Sequence, residues 1–194
     1  MRLSELTRGI APPGALDPEI TGLTEDSRRI GPGMIFVAIA GSALDGHAYA
    51  GQAVAAGAAA VVAERAVEVP GGVALVRVPS TRRALATLAS RFYGEPARGL
   101  RLIGFTGTFG KTSTSEILRA LLAASGSRPG VLGSLGARYG SFTDRGTGLT
   151  TPAPVELHRA LRGLRDAGAE TVVHAEENPL SCHPKDVDGT ADLY

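Results

Sequence analysis

Gly107-Thr108-Phe109-Gly110-Lys111-Thr112 is the segment of this 194-residue chain whose residue types and spacing could do chemistry. It lies between an apolar run, Leu100 to Phe105, and a helix-patterned stretch, Lys111 to Ser125. In that setting the backbone N–H groups of a glycine-rich turn and of a helix N-terminus converge on a polyphosphate. Lys111 adds a point charge, and the hydroxyl of Thr112 is the candidate ligand for Mg²⁺. Two of the 20 basic residues are lysines, Lys111 and Lys185, so a lysine inside a phosphate-binding pattern stands out from an arginine-rich background. The general G-x-x-x-x-G-K-[ST] spacing is not met, because Phe105 takes the place of the first glycine while Gly104 and Gly107 flank it. A glycine-rich strand-to-helix turn with an incidental lysine is the plain alternative.

The elements that must position this turn are legible on either side of it. Leu100 to Phe105 reads as a strand and Lys111 to Ser125 as a helix, with Ile117, Leu118, Leu121 and Leu122 on one face and Gly126 as its stop. A further helix is expected from Thr151, with Pro152 at its first position and Val155, Leu157, Leu161 and Leu164 recurring before Gly168. Thr171-Val172-Val173 begins another strand, and together these read as the opening of a doubly wound nucleotide-binding domain. Upstream, Met34 to Ile39, Ala59 to Ala63 and Val73 to Val78 read as strands. Asp45 to Gly57 is a small-residue helix candidate, and Ser80 can cap a helix carrying Leu85, Leu88 and Phe92. The expected organisation is therefore a small α/β unit over residues 1–97, a partial P-loop parallel-sheet unit over 98–173, and a tail over 174–194 without periodicity.

Composition narrows the partners. With 43% hydrophobic and 20% charged residues the chain reads as globular. Its net charge of +1 supplies no global field for nucleic acid or an anionic membrane, so any bound anion must be held locally. Aromatics make up 5% and Trp is missing, which argues against a stacking platform for single strands. One cysteine, Cys182, excludes an internal disulfide framework and a Cys-cluster metal site. The N-terminus lacks the apolar core of a signal peptide and no run reaches a membrane span, so a cytoplasmic protein is expected.

Leu102-Ile103-Gly104-Phe105-Thr106-Gly107-Thr108-Phe109-Gly110-Lys111-Thr112 resembles the nucleotide loop of the Mur ligases, usually I-G-V-T-G-T-N-G-K-T-T, whose first glycine is displaced in the same way. Asp26-Ser27-Arg28, Gly33-Met34-Ile35-Phe36-Val37-Ala38 and Asp45-Gly46-His47 are similar to the uridine-nucleotide domain of these enzymes. Arg91 to Pro96 and Leu149-Thr150-Thr151-Pro152 resemble the MurE type within the family, the UDP-N-acetylmuramoyl-tripeptide synthetases. The resemblance implies ATP- and Mg²⁺-dependent ligation in peptidoglycan synthesis. An acyl phosphate would form on UDP-MurNAc-L-Ala-D-Glu and be attacked by the amine of a diamino acid, meso-diaminopimelate or L-lysine. It implies further that Gly107, Thr108, Phe109, Gly110, Lys111, Thr112 and Ser113 hold ATP, with Lys111 catalytic. Ser27, Ser42, Ala43 and Leu44 would lie against UDP, and Thr150 and Thr151 against the muramoyl dipeptide. No defined protein partner is implied.

Three departures from the family pattern stand out. Phe109 replaces the loop asparagine, and Leu149 replaces a polar residue before Thr-Thr. After Val172-Val173 the family has Met-Glu-Val-[Ser/Thr]-Ser-His with a metal-binding glutamate; this chain has His174-Ala175-Glu176, its carboxylate one place out of register. So abrupt a loss of pattern reads as a frameshifted or truncated gene, and an inactive fragment is expected. Two alternatives stay open at this level: a non-catalytic UDP-sugar-binding remnant, and an unrelated P-loop NTPase.

Overall fold

The computed structural model describes residues 1–12, 14–41, 44–146 and 152–176. The chain divides into two compact units, Met1–Phe92 and a second that begins at Tyr93. Ser42, Ala43, Thr150, Thr151 and the segment 177–194 lie outside the described residues.

The first unit is built on helix α1 (Leu3–Thr7), strands β1 (Gly22–Thr24) and β2 (Met34–Val37), helix α2 (Ala50–Ala55), strands β3 (Ala60–Ala63) and β4 (Ala74–Arg77), and helix α3 (Thr81–Phe92). The strands form one parallel sheet in the order β1-β2-β3-β4. Continuous apolar runs such as Met34-Ile35-Phe36-Val37 suit a sheet covered on both faces. Phe36, Ala38, Val61 and Ala63 pack with Ala50 and Ala53 of α2. Leu85 and Leu88 of α3 are fully buried, and Ser80 Oγ accepts from the Arg83 N–H at its start. The helix expected over 45–57 is split: a 3₁₀ turn, Gly46–Tyr49, precedes α2 because Asp45 accepts the His47 N–H and bends the entry.

In the second unit β5 (Arg101–Thr106) leads into α4 (Lys111–Ala124). Strands β6 (Pro129–Gly133), β7 (Gly136–Tyr139) and β8 (Phe142–Asp144), helix α5 (Pro154–Asp166) and β9 (Thr171–Glu176) follow. The sheet order is β5-β9-β6-β7-β8, with β9 parallel to both neighbours and β7 and β8 antiparallel. The chain steps outward through α4 and returns through α5. Right-handed crossovers therefore put the two helices on opposite faces, the doubly wound arrangement. Leu161 and Leu164 of α5 pack on Leu132 and Val172.

Several expectations are corrected here. Helix α5 starts at Pro154 with Ala153 as its cap, two residues beyond the expected Thr151-Pro152 start. The strand expected to begin at Thr171-Val172-Val173 is present and runs to Glu176, because β5 supplies a ladder partner for each residue as far as Thr106. Ile117 and Leu121 of α4 are 61% and 63% exposed, so they do not form a buried face with Leu118 and Leu122. The hairpin β7–β8 was not expected; it requires Gly136, where φ is +87° and a Cβ would stand 2.1 Å from the Asp144 carbonyl oxygen.

Candidate functional site

Strand β5 delivers the chain to Thr106 at the carboxyl end of a parallel sheet, where open α/β sheets bind their ligands. The turn 107–110 then reverses into α4, with Gly110 as helix cap at φ +79°, a left-handed conformation that favours glycine. Helix α4 has no side-chain cap, so its first-turn N–H groups face outward beside the loop. A Cβ on Gly107 would meet nothing closer than the Phe109 carbonyl oxygen at 3.7 Å. The protein's own packing therefore does not require glycine there; a ligand drawn close to the backbone would. Lys111 Nζ donates to the Gly107 carbonyl at 2.8 Å, which folds the ammonium back across the mouth of the turn. Thr108, Thr112 and Ser113 are exposed, and Phe109 is 92% exposed at the tip.

This arrangement can hold a polyphosphate: a cluster of N–H donors, the Lys111 ammonium and an exposed hydroxyl at Thr112. A magnesium ion held with phosphates keeps most of its ligands from phosphate and water, so a single protein hydroxyl fits it. No group of three metal-ligating side chains occurs among the described residues.

Strand β9 lies beside β5, with Ala175 opposite Phe105 and Glu176 opposite Thr106. Alternation places Val172 and His174 on the α5 face, and Val173 and Ala175 on the α4 face beside the loop. Ala175, 2% exposed, thus occupies the position at which the family resemblance leads to a glutamate being expected.

In the first unit the candidate residues follow adjacent parallel strands. Ser27 comes just after β1, in a 3₁₀ turn capped by Asp26, which accepts the Arg28 N–H at 3.0 Å and the Arg28 guanidinium at 2.7 Å. Those bonds hold the Asp26 carboxyl down to about 2. Ser27 Oγ donates to Gln52 Oε1 of α2 at 3.1 Å. Leu44, 65% exposed, follows β2. Gln52 escaped sequence reasoning because a lone glutamine in a small-residue helix carries no pattern. A shallow depression beside β7, β8 and the start of α5 is lined by Gly133, Asp144, Arg145, Pro152 and Arg159, and was equally invisible.

Two family models match the chain in succession: the Mur ligase family catalytic domain over residues 19–93 and the Mur ligase middle domain over 105–175. The chain belongs to the Mur ligase family. Its curated relatives include a UDP-N-acetylmuramoyl-L-alanyl-D-glutamate--2,6-diaminopimelate ligase of Syntrophomonas wolfei, 39% identical over 176 residues. That match takes in 89% of this chain and 36% of the relative, so the chain spans about a third of the relative's length. Among solved structures, a UDP-N-acetylmuramoyl-L-alanyl-D-glutamate--2,6-diaminopimelate ligase superposes with a TM-score of 0.66 at 26% identity, over 87% of this chain and 33% of that one. A MurF ligase from Thermotoga maritima in complex with ADP matches with a TM-score of 0.51 at 27% identity, over 85% and 33%. Within this family match the chain carries Gly104 and Gly107 either side of Phe105, phenylalanine at position 109, and alanine at position 175.

Proposed function

We propose that this Mur ligase chain carries the uridine-nucleotide and ATP sites of a diamino acid ligase acting on UDP-MurNAc-L-Ala-D-Glu in peptidoglycan synthesis. The observation that carries the reading is the 107–110 turn. Its glycine at 107 is left open by the protein's own atoms, and Lys111 is already drawn across it. Bound there, ATP with Mg²⁺ would supply the phosphoryl group. The loop N–H groups would orient the phosphates, Lys111 would stabilise charge on the transferred group, and Thr112 would contribute a metal ligand. Ser27, Ser42, Ala43 and Leu44 are the proposed UDP contacts, and Thr150 and Thr151 the dipeptide contacts. The ligase reading places the protein where these soluble substrates are, in the cytoplasm; no helix among the described residues is long and apolar enough to cross a membrane.

Ala175 favours a second reading, a polypeptide that binds the UDP-sugar without turnover, because the strand beside the loop offers a methyl group where a carboxylate is called for. One experiment separates the two. The chain is incubated with ATP, Mg²⁺, UDP-MurNAc-L-Ala-D-Glu and either meso-diaminopimelate or L-lysine. Dipeptide-dependent phosphate release supports the ligase; saturable UDP-sugar binding without release supports the second reading.

A further inference from the structure

Asp45-Gly46-His47 is absorbed by neither nucleotide site, yet it carries a connected polar network in the first unit. The turn between β2 and α2 is closed at its base by an antiparallel bridge between Ala40 and Asp45. The Gly41 N–H donates to the Leu44 carbonyl at 2.9 Å and the Gly46 N–H to the Ile39 carbonyl at 2.8 Å. A Cβ at Gly46 would stand 2.6 Å from the Ile39 oxygen, so the base closes only around glycine. Asp45 Oδ1 accepts from the His47 N–H at 3.0 Å and from His47 Nδ1 at 2.7 Å, and Asp45 Oδ2 pairs with Arg65. These bonds hold the Asp45 carboxyl down to about 2.

On its other side the His47 ring meets the end of β3. The Glu64 N–H donates to His47 Nε2 at 3.1 Å, so Nε2 carries no proton and the hydrogen resides on Nδ1, aimed at Asp45. With both ring nitrogens hydrogen-bonded inside the protein and the ring 3% exposed, His47 presents no ring nitrogen to a ligand. Glu64 is fixed in turn, its Oε1 accepting from the Thr81 N–H at 2.8 Å and the Thr81 hydroxyl at 2.9 Å. The network ties the turn after β2 to the end of β3 and the start of α3.

We propose that Asp45 and His47 are positioning residues that brace this turn against β3 and so present Leu44 as a preformed surface for a uridine nucleotide. The proposal rests on reading the first unit as the uridine-nucleotide site. A brace of this kind lowers the ordering cost of binding, and about tenfold in affinity corresponds to one or two side chains fixed in advance.

The test titrates UDP into the full 194-residue chain and into its variants. Ser27→Ala, which removes no bond of the network, should weaken binding and thereby locate the ligand. Asp45→Ala should weaken it about tenfold, whereas Asp45→Asn, which keeps an oxygen for the His47 N–H and ring, should stay within about threefold of the parent. Leu44→Ala combined with Asp45→Ala should cost no more than Leu44→Ala alone, since the brace acts through Leu44. In the unaltered protein, ¹⁵N–¹H correlation spectra should show His47 as the Nδ1–H tautomer, a readout that survives if Asp45→Ala does not fold. Additive losses at Leu44 and Asp45, or an Nε2–H tautomer, overturn the brace while Ser27 sensitivity leaves the uridine reading standing. Absence of UDP binding, or a UDP affinity indifferent to Ser27→Ala, overturns both.

Discussion

Replacing Lys111 by alanine separates a phosphate-binding role from a structural one. In the free protein the ammonium donates to the Gly107 carbonyl at 2.8 Å on an exposed loop. Its loss should therefore move the unfolding midpoint of the second unit very little, since exposed polar contacts exchange readily with water. With a nucleotide bound, the same ammonium would face phosphate, and a hydrogen bond to a charged partner is worth about 1.5 to 3 kcal/mol. That range corresponds to a loss of roughly 10- to 150-fold in affinity. Calorimetric titration with ATP and Mg²⁺, alongside urea unfolding, measures both quantities. Phe109→Asn is the opposing control: the ring is 92% exposed, so removing it costs little stability, and an amide at the tip should tighten nucleotide binding. Equal ATP affinity in the parent and in Lys111→Ala would refute the reasoning and leave the turn a plain strand-to-helix connection.

Acid should destabilise the second unit in a defined window. Burial pushes the His174 imidazole down to about 4 from an ordinary 6.5, so between those values the unfolded chain binds the proton and the folded chain does not. Stability should thus be complete above about pH 6.5 and fall as pH drops towards 4, a slope that His174→Met should remove in urea titrations at pH 7 and pH 5. Asp26 and Asp45 of the first unit, both held at about 2, contribute stability that is lost only as pH falls below the ordinary 3.8. Gly163→Ala should destabilise α5 although alanine is the better helix former. The propensity gain is about 1 kcal/mol, but the new Cβ would stand 2.2 Å from Phe142 Cζ, and overpacking costs about 1 to 3 kcal/mol. Thermal unfolding with a raised midpoint would contradict this.

Sequence reasoning reached the elements whose pattern is local. Helix α3, with Leu85 and Leu88 at helical spacing, and the apolar runs of β2, β3 and β4 were all legible. So was the strand–turn–helix around Lys111, because glycine, lysine and threonine at fixed spacing have a mechanical reason to be there. What escaped depends on partners distant in the chain. Strand β1 is three residues long and exists through its ladder with β2. Strands β7 and β8 hold each other, with Gly136 admitting the close approach. The ambiguity of α4 is of another kind. Its apolar positions are regular, but Ile117 and Leu121 remain exposed, and periodicity alone cannot say which face a neighbour covers. The Asp45–His47–Glu64 network links residues 17 positions apart and carries no sequence signal beyond the Asp-Gly-His motif itself.

The proposed uridine-nucleotide site of the first unit is the more complete of the two, since Phe109 and Ala175 depart from the family pattern beside the proposed ATP site of the second. Calorimetric titration of one preparation with UDP-MurNAc-L-Ala-D-Glu and, separately, with ATP and Mg²⁺ tests it most directly. Saturable UDP-MurNAc-dipeptide binding is expected, tighter than ATP binding and weakened by Ser27→Ala. Tighter binding of ATP, or no binding of the uridine nucleotide, would contradict it.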